Sequence, residues 1–411
     1  MVFLAFATPG AVPPATTMPA LLSETGAFAD VHALRPAPGM VAYDLNVPFW
    51  SDGLKKTRWV AVPRSAGPVR FSERGAWRFP PGTLFVKHFD TTDGARRVET
   101  RLLVMGDDGR VTGASYAWRA DQTDAERVDA MRRWLPDDGT IAPAHSIPGP
   151  DDCRRCHLPT AGGVLGVNTR QLNRPVPGGF ENQLVGWSRL GLLDRPVAAA
   201  AAAALPALPP ADSPGLVPRD AARAYLDVNC AFCHRPGGAV ADFDASWDAS
   251  PDGRHLVGAP ARINLGVDRA RLIAPNDPWR SIILARMATR EPTQMPPLGR
   301  DEVDRRGVEL VRAWVAALPG PEVTSPPTIR PAGGDYPAPV LVTIAHDDPS
   351  AEVRYTLDGH PPGPNSALYV APLTLEGAAI VRARAFRPGR TRSITVQETF
   401  IIPTRESRTA P

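Results

Sequence analysis

Only four of the 411 residues are cysteine, and two short motifs use them all. Charge of one sign is also lacking. The net value of +3 is close to balance and no long basic run occurs, which argues against a nucleic-acid partner. No apolar stretch is long enough to span a bilayer as a helix. The first residues, Met1 to Ala7, are apolar and include the small-x-small pattern Ala5-Phe6-Ala7, but they lack a basic region and a long apolar core. Residues 1–20 therefore read as a leader remnant, either a weak signal peptide or the result of a start placed too far downstream. Methionine is missing between His157 and Met287, a gap that bears on metal ligation. What is abundant is apolar content, 43%, enough for several cores, and proline, 47 residues concentrated in connections.

The cysteines stand in Cys153-Arg154-Arg155-Cys156-His157 and Cys230-Ala231-Phe232-Cys233-His234. This is the spacing of covalent haem attachment: each thiol adds to a porphyrin vinyl group, and the following imidazole binds iron from below the ring. The expectation is two covalently bound haem c groups, tethered at Cys153, Cys156, Cys230 and Cys233, with His157 and His234 as axial ligands. Attachment of this kind takes place outside the cytoplasmic membrane, so a periplasmic or otherwise exported protein is expected. The same atoms admit other chemistry. Two knuckles can share one four-thiolate zinc, form two disulfides, or act as thioredoxin-like dithiols. None of these requires a histidine after each knuckle, and the flanks lack a βαβ setting.

Organisation follows from periodicity and breakers. Residues 21–196 read as a β-rich region carrying the first motif, with strand-like runs at Arg58 to Val62, Leu84 to Phe89, Arg97 to Val104 and Val111 to Trp118. Ala125, Val128, Met131 and Leu135 suggest a short amphipathic helix ending before Pro136, and Phe180, Leu184, Trp187 and Leu190 suggest another. Residues 197–217, an alanine run passing into prolines, read as a semi-rigid linker. In 218–320, Pro218 opens a helix whose Ala222, Tyr225, Leu226 and Asn229 lead into Cys230, and Val303 to Leu318 form a second helix. Residues 322–403 read as a β unit with runs at Val340 to Ile344, Val353 to Leu357, Ile380 to Phe386 and Ile394 to Ile402. The expected class is multidomain α+β: a β-rich N-terminal region, a mainly α haem domain and an all-β C-terminal sandwich.

Three resemblances refine this. Helix, Cys-x-x-Cys-His, the loop Met295-Pro-Pro-Leu-Gly299 and a closing helix occur in the order of a class I cytochrome c, which residues 218–320 resemble. The resemblance implies His234 as proximal and Met295 as distal ligand, with Met287 the nearest rival. Arg354 to Gly359, Ser366 to Tyr369 and Val381 to Phe386 resemble the immunoglobulin-like C-terminal domain of chitobiase and β-hexosaminidase, a module that implies structure or binding and carries no catalytic residue. Leu22 to Gly26, Pro48-Phe-Trp-Ser-Asp-Gly53 with Lys56 and Arg58, Glu99 to Leu102, and Arg223 to Cys230 together resemble a family of bacterial diheme cytochrome c proteins.

The sixth ligand sets the job of each iron. A methionine thioether raises the reduction potential and closes the iron to substrate, which suits electron transfer. For the first haem the candidates are His145 and Met131, with His88 and Met105 behind them. The leading expectation is single-electron transfer with redox partner proteins. An open first haem would instead suit peroxidase-like oxidoreductase chemistry, for which Glu99, Arg101 and His145 are the groups to test. A third reading is a haem-bearing binding protein, with a glycan or protein contact through the C-terminal sandwich. Trp50, Trp59, Trp77 and Trp118 could serve such binding, but core packing is the preferred role.

Overall fold

A computed structural model describes residues 18–135, 144–250 and 256–403; residues 1–17, most of the segment read as a leader, lie outside that range. The chain forms two compact units. One holds the described residues up to Ser250 together with Met287–Val311, and the other holds Leu256 to Arg286 together with Arg312 to Pro403.

The first unit begins with a small ribbon, β1 (Phe28–Asp30) against β2 (Arg35–Pro36). Its centre is an antiparallel six-stranded sheet in sequence order: β3 (Val41–Tyr43), β4 (Lys55–Ala61), β5 (Leu84–Asp90), β6 (Arg97–Met105), β7 (Val111–Trp118) and β8 (Ala125–Val128). Side chains alternate across a strand, and here both faces are covered. Trp59, Val86, Leu102, Tyr116 and Trp118 pack on one side against Leu22 and Phe28. Val60, Phe85 and Val111 pack on the other against Trp77, Leu172, Leu184 and Trp187. Three of the four tryptophans considered for binding are thus core residues, Trp59, Trp77 and Trp118 being at most 7% exposed.

Two further strands, β9 (Arg132–Trp134) and β10 (His145–Ile147), pair antiparallel. They lead into α1 (Pro150–Cys156), which starts with Gly149 as N-cap, Pro150 at the first helical position and Asp151 and Asp152 in the first turn. Next come α2 (Thr169–Leu172) and α3 (Gln183–Arg189), whose first turns are capped by the side chains of Asn168 and Asn182. Phe180, assigned to the stripe of the latter, lies before the helix and is fully exposed.

The helix expected over Ala125 to Leu135 is not formed. Those residues make β8, a turn and β9, because β8 completes the sheet by pairing Ser115 with Val128 and Trp118 with Ala125. The alanine run forms α4 (Ala199–Ala204) and is packed rather than free. Ala202 and Leu208 are buried, and Asn173 Nδ2 donates to the carbonyls of Ala202 and Leu205 at 3.0 and 2.9 Å.

The expected class needs correction. Strand makes up 27% and helix 17%, and no mainly α domain exists at 218–320. That stretch carries α5 (Pro218–Asn229), α6 (Ile282–Met287) and α7 (Arg305–Ala317), which are 12, 6 and 13 residues long. Between α5 and α6 the described chain runs through turns and isolated bridges such as Val257–Ile273. The helical signals at its two ends were real, but glycine, proline and aspartate between them give an irregular chain instead of a bundle.

The C-terminal part is all-β. β11 (Thr328–Arg330), β13 (Val340–Ala345) and β16 (Leu373–Leu375) form one sheet. The other takes the order β12-β18-β17-β14-β15, with β12 (Gly334–Asp335), β14 (Glu352–Thr356), β15 (Ala367–Leu368), β17 (Ala379–Phe386) and β18 (Val396–Ile401). Val342 and Ile344 from the first sheet meet Val381, Ala383 and Phe400 from the second in one core.

Candidate functional site

Both cysteine motifs wind into a helical turn. His157 N donates to Cys153 O at 3.0 Å, and His234 N donates to Cys230 O at 2.9 Å. A turn of this kind brings the first thiol and the histidine, four residues apart, onto one side. Helix α1 packs on β7 where the strand has Gly113: a Cβ there would lie 3.1 Å from Cys153 Sγ. Helix α5 delivers the second motif, held by the hydrogen bond from Trp50 N to Asn229 Oδ1 at 2.9 Å.

One cavity is lined by Cys153, Cys156 and His157 of the first motif and by Ala231 and Phe232 of the second, whose Cys230, Cys233 and His234 are not among its walls. Sequence placed the two motifs on opposite sides of a semi-rigid linker; they belong to a single compact unit. Arg58, Lys87 and Arg101 add a cationic wall to apolar Leu45, Phe85 and Leu103.

The histidines are oriented. Nδ1 of His157 donates to the carbonyl of Gly163 at 2.8 Å, which fixes the tautomer and turns a bare Nε2 the other way. Burial pushes its pKa down to about 4, so the ring is neutral, the state a metal requires. Nδ1 of His234 faces Asp242 Oδ1 at 3.0 Å, and the ring stacks on Phe243 at 4.2 Å between centroids. The thiols are free and unpaired in disulfides. Burial lifts both Cys153 and Cys156 to about 11, the opposite of what a reactive dithiol needs. Among the described residues no three His, Cys, Asp or Glu side chains are placed to hold a metal ion, so the thiols do not gather as a tetrahedral zinc site would demand.

A tethered porphyrin fits this donor set better. Its rings need apolar walls, its iron needs a neutral, oriented imidazole, and its acidic edge needs cations. Among the cations here, Arg58 is 4% exposed and its Nη2 has no hydrogen-bond partner.

The candidates for a sixth ligand separate. His145 is completely buried with both nitrogens engaged: Nδ1 with Asp52 Oδ2 at 2.8 Å and Nε2 with Glu99 Oε2 at 2.9 Å. No nitrogen is left for iron. Burial opposes its protonation, but the two carboxylates outweigh burial and raise its pKa. Burial likewise works against ionised Glu99, yet Arg101 and His145 hold that carboxyl at about 2. Met131, expected on an inward helical stripe, is instead half-exposed in the β8–β9 turn and lines the cavity. His88 is tied to Thr100 and Asp90, and Met105 is core. Met295 is half-buried in the loop between α6 and α7, three residues before the cavity-lining Leu298. Met287 is buried core, as expected of the rival.

The Trp50-Ser-Asp-Gly53 segment, which suggested no chemistry in the sequence, is a structural junction. Asp52 Oδ1 accepts from Asp301 N and Glu302 N at 2.7 and 2.8 Å while Oδ2 holds His145. Only the succession of a short polar side chain and glycine hinted at it. Asp52 has φ +51°, a left-handed conformation that aspartate tolerates.

Residues 331–398 match the family described as Chitobiase/beta-hexosaminidase C-terminal domain. No curated protein matches the chain.

Proposed function

We propose that this protein is an exported diheme c-type cytochrome that passes single electrons between redox partner proteins. The observation that carries the reading is the first Cys-x-x-Cys-His turn on a cavity wall, with His157 beside Cys153 and Cys156 and held in the tautomer that presents Nε2. Haem, once bound, supplies the one-electron chemistry of its iron. The chain's own residues tether at Cys153, Cys156, Cys230 and Cys233, ligate through His157 and His234, and exclude water with the apolar walls. Met295 is the proposed thioether ligand for the second iron. Of the two candidates for the first, Met131 lines the cavity, whereas His145 has both nitrogens engaged. Two carriers in one compact unit suit rapid internal transfer without domain docking. Export follows from the chemistry of attachment, and a glycan or protein contact of the C-terminal sandwich is the accompanying partner proposal.

The test is the mass of the exported protein, which must exceed that of the bare chain by two haem groups; no increment ends the reading. A second reading is favoured by the engagement of both His145 nitrogens, which leaves the first iron dependent on the half-exposed Met131. An open sixth position there would allow peroxidase-like chemistry. Ferric spectra that are wholly low-spin and indifferent to cyanide would exclude it, whereas a high-spin, cyanide-binding fraction would support it.

A further inference from the structure

Three basic side chains stand abreast on the cavity face of the large sheet. Arg58 on β4 is directly opposite Lys87 on β5, and Lys87 is directly opposite Arg101 on β6. All three line the cavity. Like charges facing one another across strands are destabilising, and burial together with the Arg58 and Arg101 guanidiniums pushes the Lys87 pKa well down, so a row of three charges calls for a compensating group. The protein supplies only part of it. Asp44 takes Arg58 Nη1 at 3.0 Å, and Glu99 takes Arg101 Nη2 at 2.9 Å. Among the described residues no carboxylate pairs with Lys87. Its ammonium has only the ring faces of Phe89 and Phe49, at 4.9 and 5.8 Å from their centroids. Arg58 keeps Nη2 unpartnered in a side chain that is almost wholly buried, and Ser115 Oγ, next in the row opposite Arg101, is buried without a partner too.

The tether is close at hand. Gly113 lies two residues before Ser115 on the same face of β7, and it is the residue against which Cys153 packs. The carboxylates leave the macrocycle at the edge opposite the one that Cys153 and Cys156 would hold. The row runs away from the tether from β7 through β6 and β5 to β4 at about 4.8 Å a step, which carries Lys87 and Arg58 toward that far edge. We propose that the row Arg58–Lys87–Arg101 is an anion-binding wall that receives the carboxylates of the porphyrin tethered at Cys153 and Cys156. The proposal rests on the haem reading and adds to it the site for the acidic edge. Charge-assisted hydrogen bonds from guanidinium and ammonium are the strong kind for such groups, and a desolvated carboxylate without them would be costly.

The experiment uses the full-length, exported protein and the variants Lys87→Met, Lys87→Gln and Lys87→Arg. Mass is read first. A wild type without two haem increments fails the haem reading itself, separately from anything about the row. In the loaded proteins, the propionate-bending bands in resonance Raman spectra report the carboxylates directly. Lys87→Met and Lys87→Gln should shift these bands for one haem, and Lys87→Arg should leave them near the wild-type position. Loss of a buried positive charge should also raise the oxidised-to-reduced ratio of that haem about tenfold at fixed potential, a fall of about 59 mV for one electron. Bands that stay in place in both neutral variants overturn the proposal whatever the potential does. So does a saturable Soret shift with inorganic sulfate in the wild type that Lys87→Met abolishes, because the row would then serve a free anion.

Discussion

At the scale of the residue, the most consequential side chain is His145. It lies between Asp52 and Glu99 with no exposure, so its removal strands two buried carboxylates. Breaking such a buried arrangement costs about 3–5 kcal/mol, and His145→Leu should lose that much stability in urea unfolding; a loss below about 1 kcal/mol would contradict the charged trio. The pH dependence has two limbs. The folded pKa of Glu99, about 2 against an ordinary 4.5, contributes stability above pH 4.5 that is lost as pH falls toward 2. The folded pKa of His145 lies above its ordinary 6.5, so its contribution is complete below 6.5 and disappears as pH rises through the raised value. Unfolding midpoints followed from pH 2 to 9 should therefore peak between about 4.5 and 6.5, and His145→Leu should remove the upper limb. None of this was legible in the sequence. The eight histidines look alike there, and the partners of His145 lie 93 and 46 residues away. The two Cys-x-x-Cys-His motifs were legible because their spacing is local and a single helical turn satisfies it.

At the scale of the element, long runs with strong periodicity were readable and short ones were not. The four strand runs from Arg58 to Trp118 stand as β4 to β7, since β-branched and aromatic alternation extends over seven to nine residues in each. The helix expected over Ala125 to Leu135 had apolar residues three or four apart, a pattern that a sheet edge can also use when a neighbour such as β7 needs a partner. Helices α5 and α7 were both anticipated, but their contact was not. Gly307 permits it: a Cβ there would fall 2.3 Å from Tyr225 Cζ. Gly307→Ala gains about 1 kcal/mol in helix propensity, but the displaced ring costs about 1–3 kcal/mol. The net expectation is a destabilised protein by thermal melting, whereas an unchanged or raised midpoint would mean that Tyr225 moves aside freely.

At the scale of the whole molecule, each unit is assembled from two separated stretches of chain, which no linear division of the sequence foresaw. In the second unit, residues 256–286 join the sandwich through Arg280. Arg280 is 3% exposed, and its guanidinium bonds Asp277 Oδ2 at 2.9 Å and donates to the carbonyls of Arg392 and Ser393 at 3.1 Å. Calorimetry should resolve two transitions, and Arg280→Met should lower only one of them by several degrees while the Soret band is unchanged. A single transition, or one that loses the Soret band in step, would contradict the division. Residues 322–403 thus share their unit with Asp268, Asp277 and Arg280, Arg280 Nη2 also donating to Asp268 Oδ1 at 3.2 Å.

If haem is attached here as proposed, the close fit of Cys153 against Gly113 also dictates an order of manufacture. With Cys153 only 9% exposed, an attachment enzyme would not reach its thiol once α1 has seated on β7. Ligation must come while the nascent polypeptide is still slack, and seating afterwards locks the product in. Apoprotein allowed to close first would be barred from loading until it is opened again, so the yield of finished protein should follow the race between the two steps.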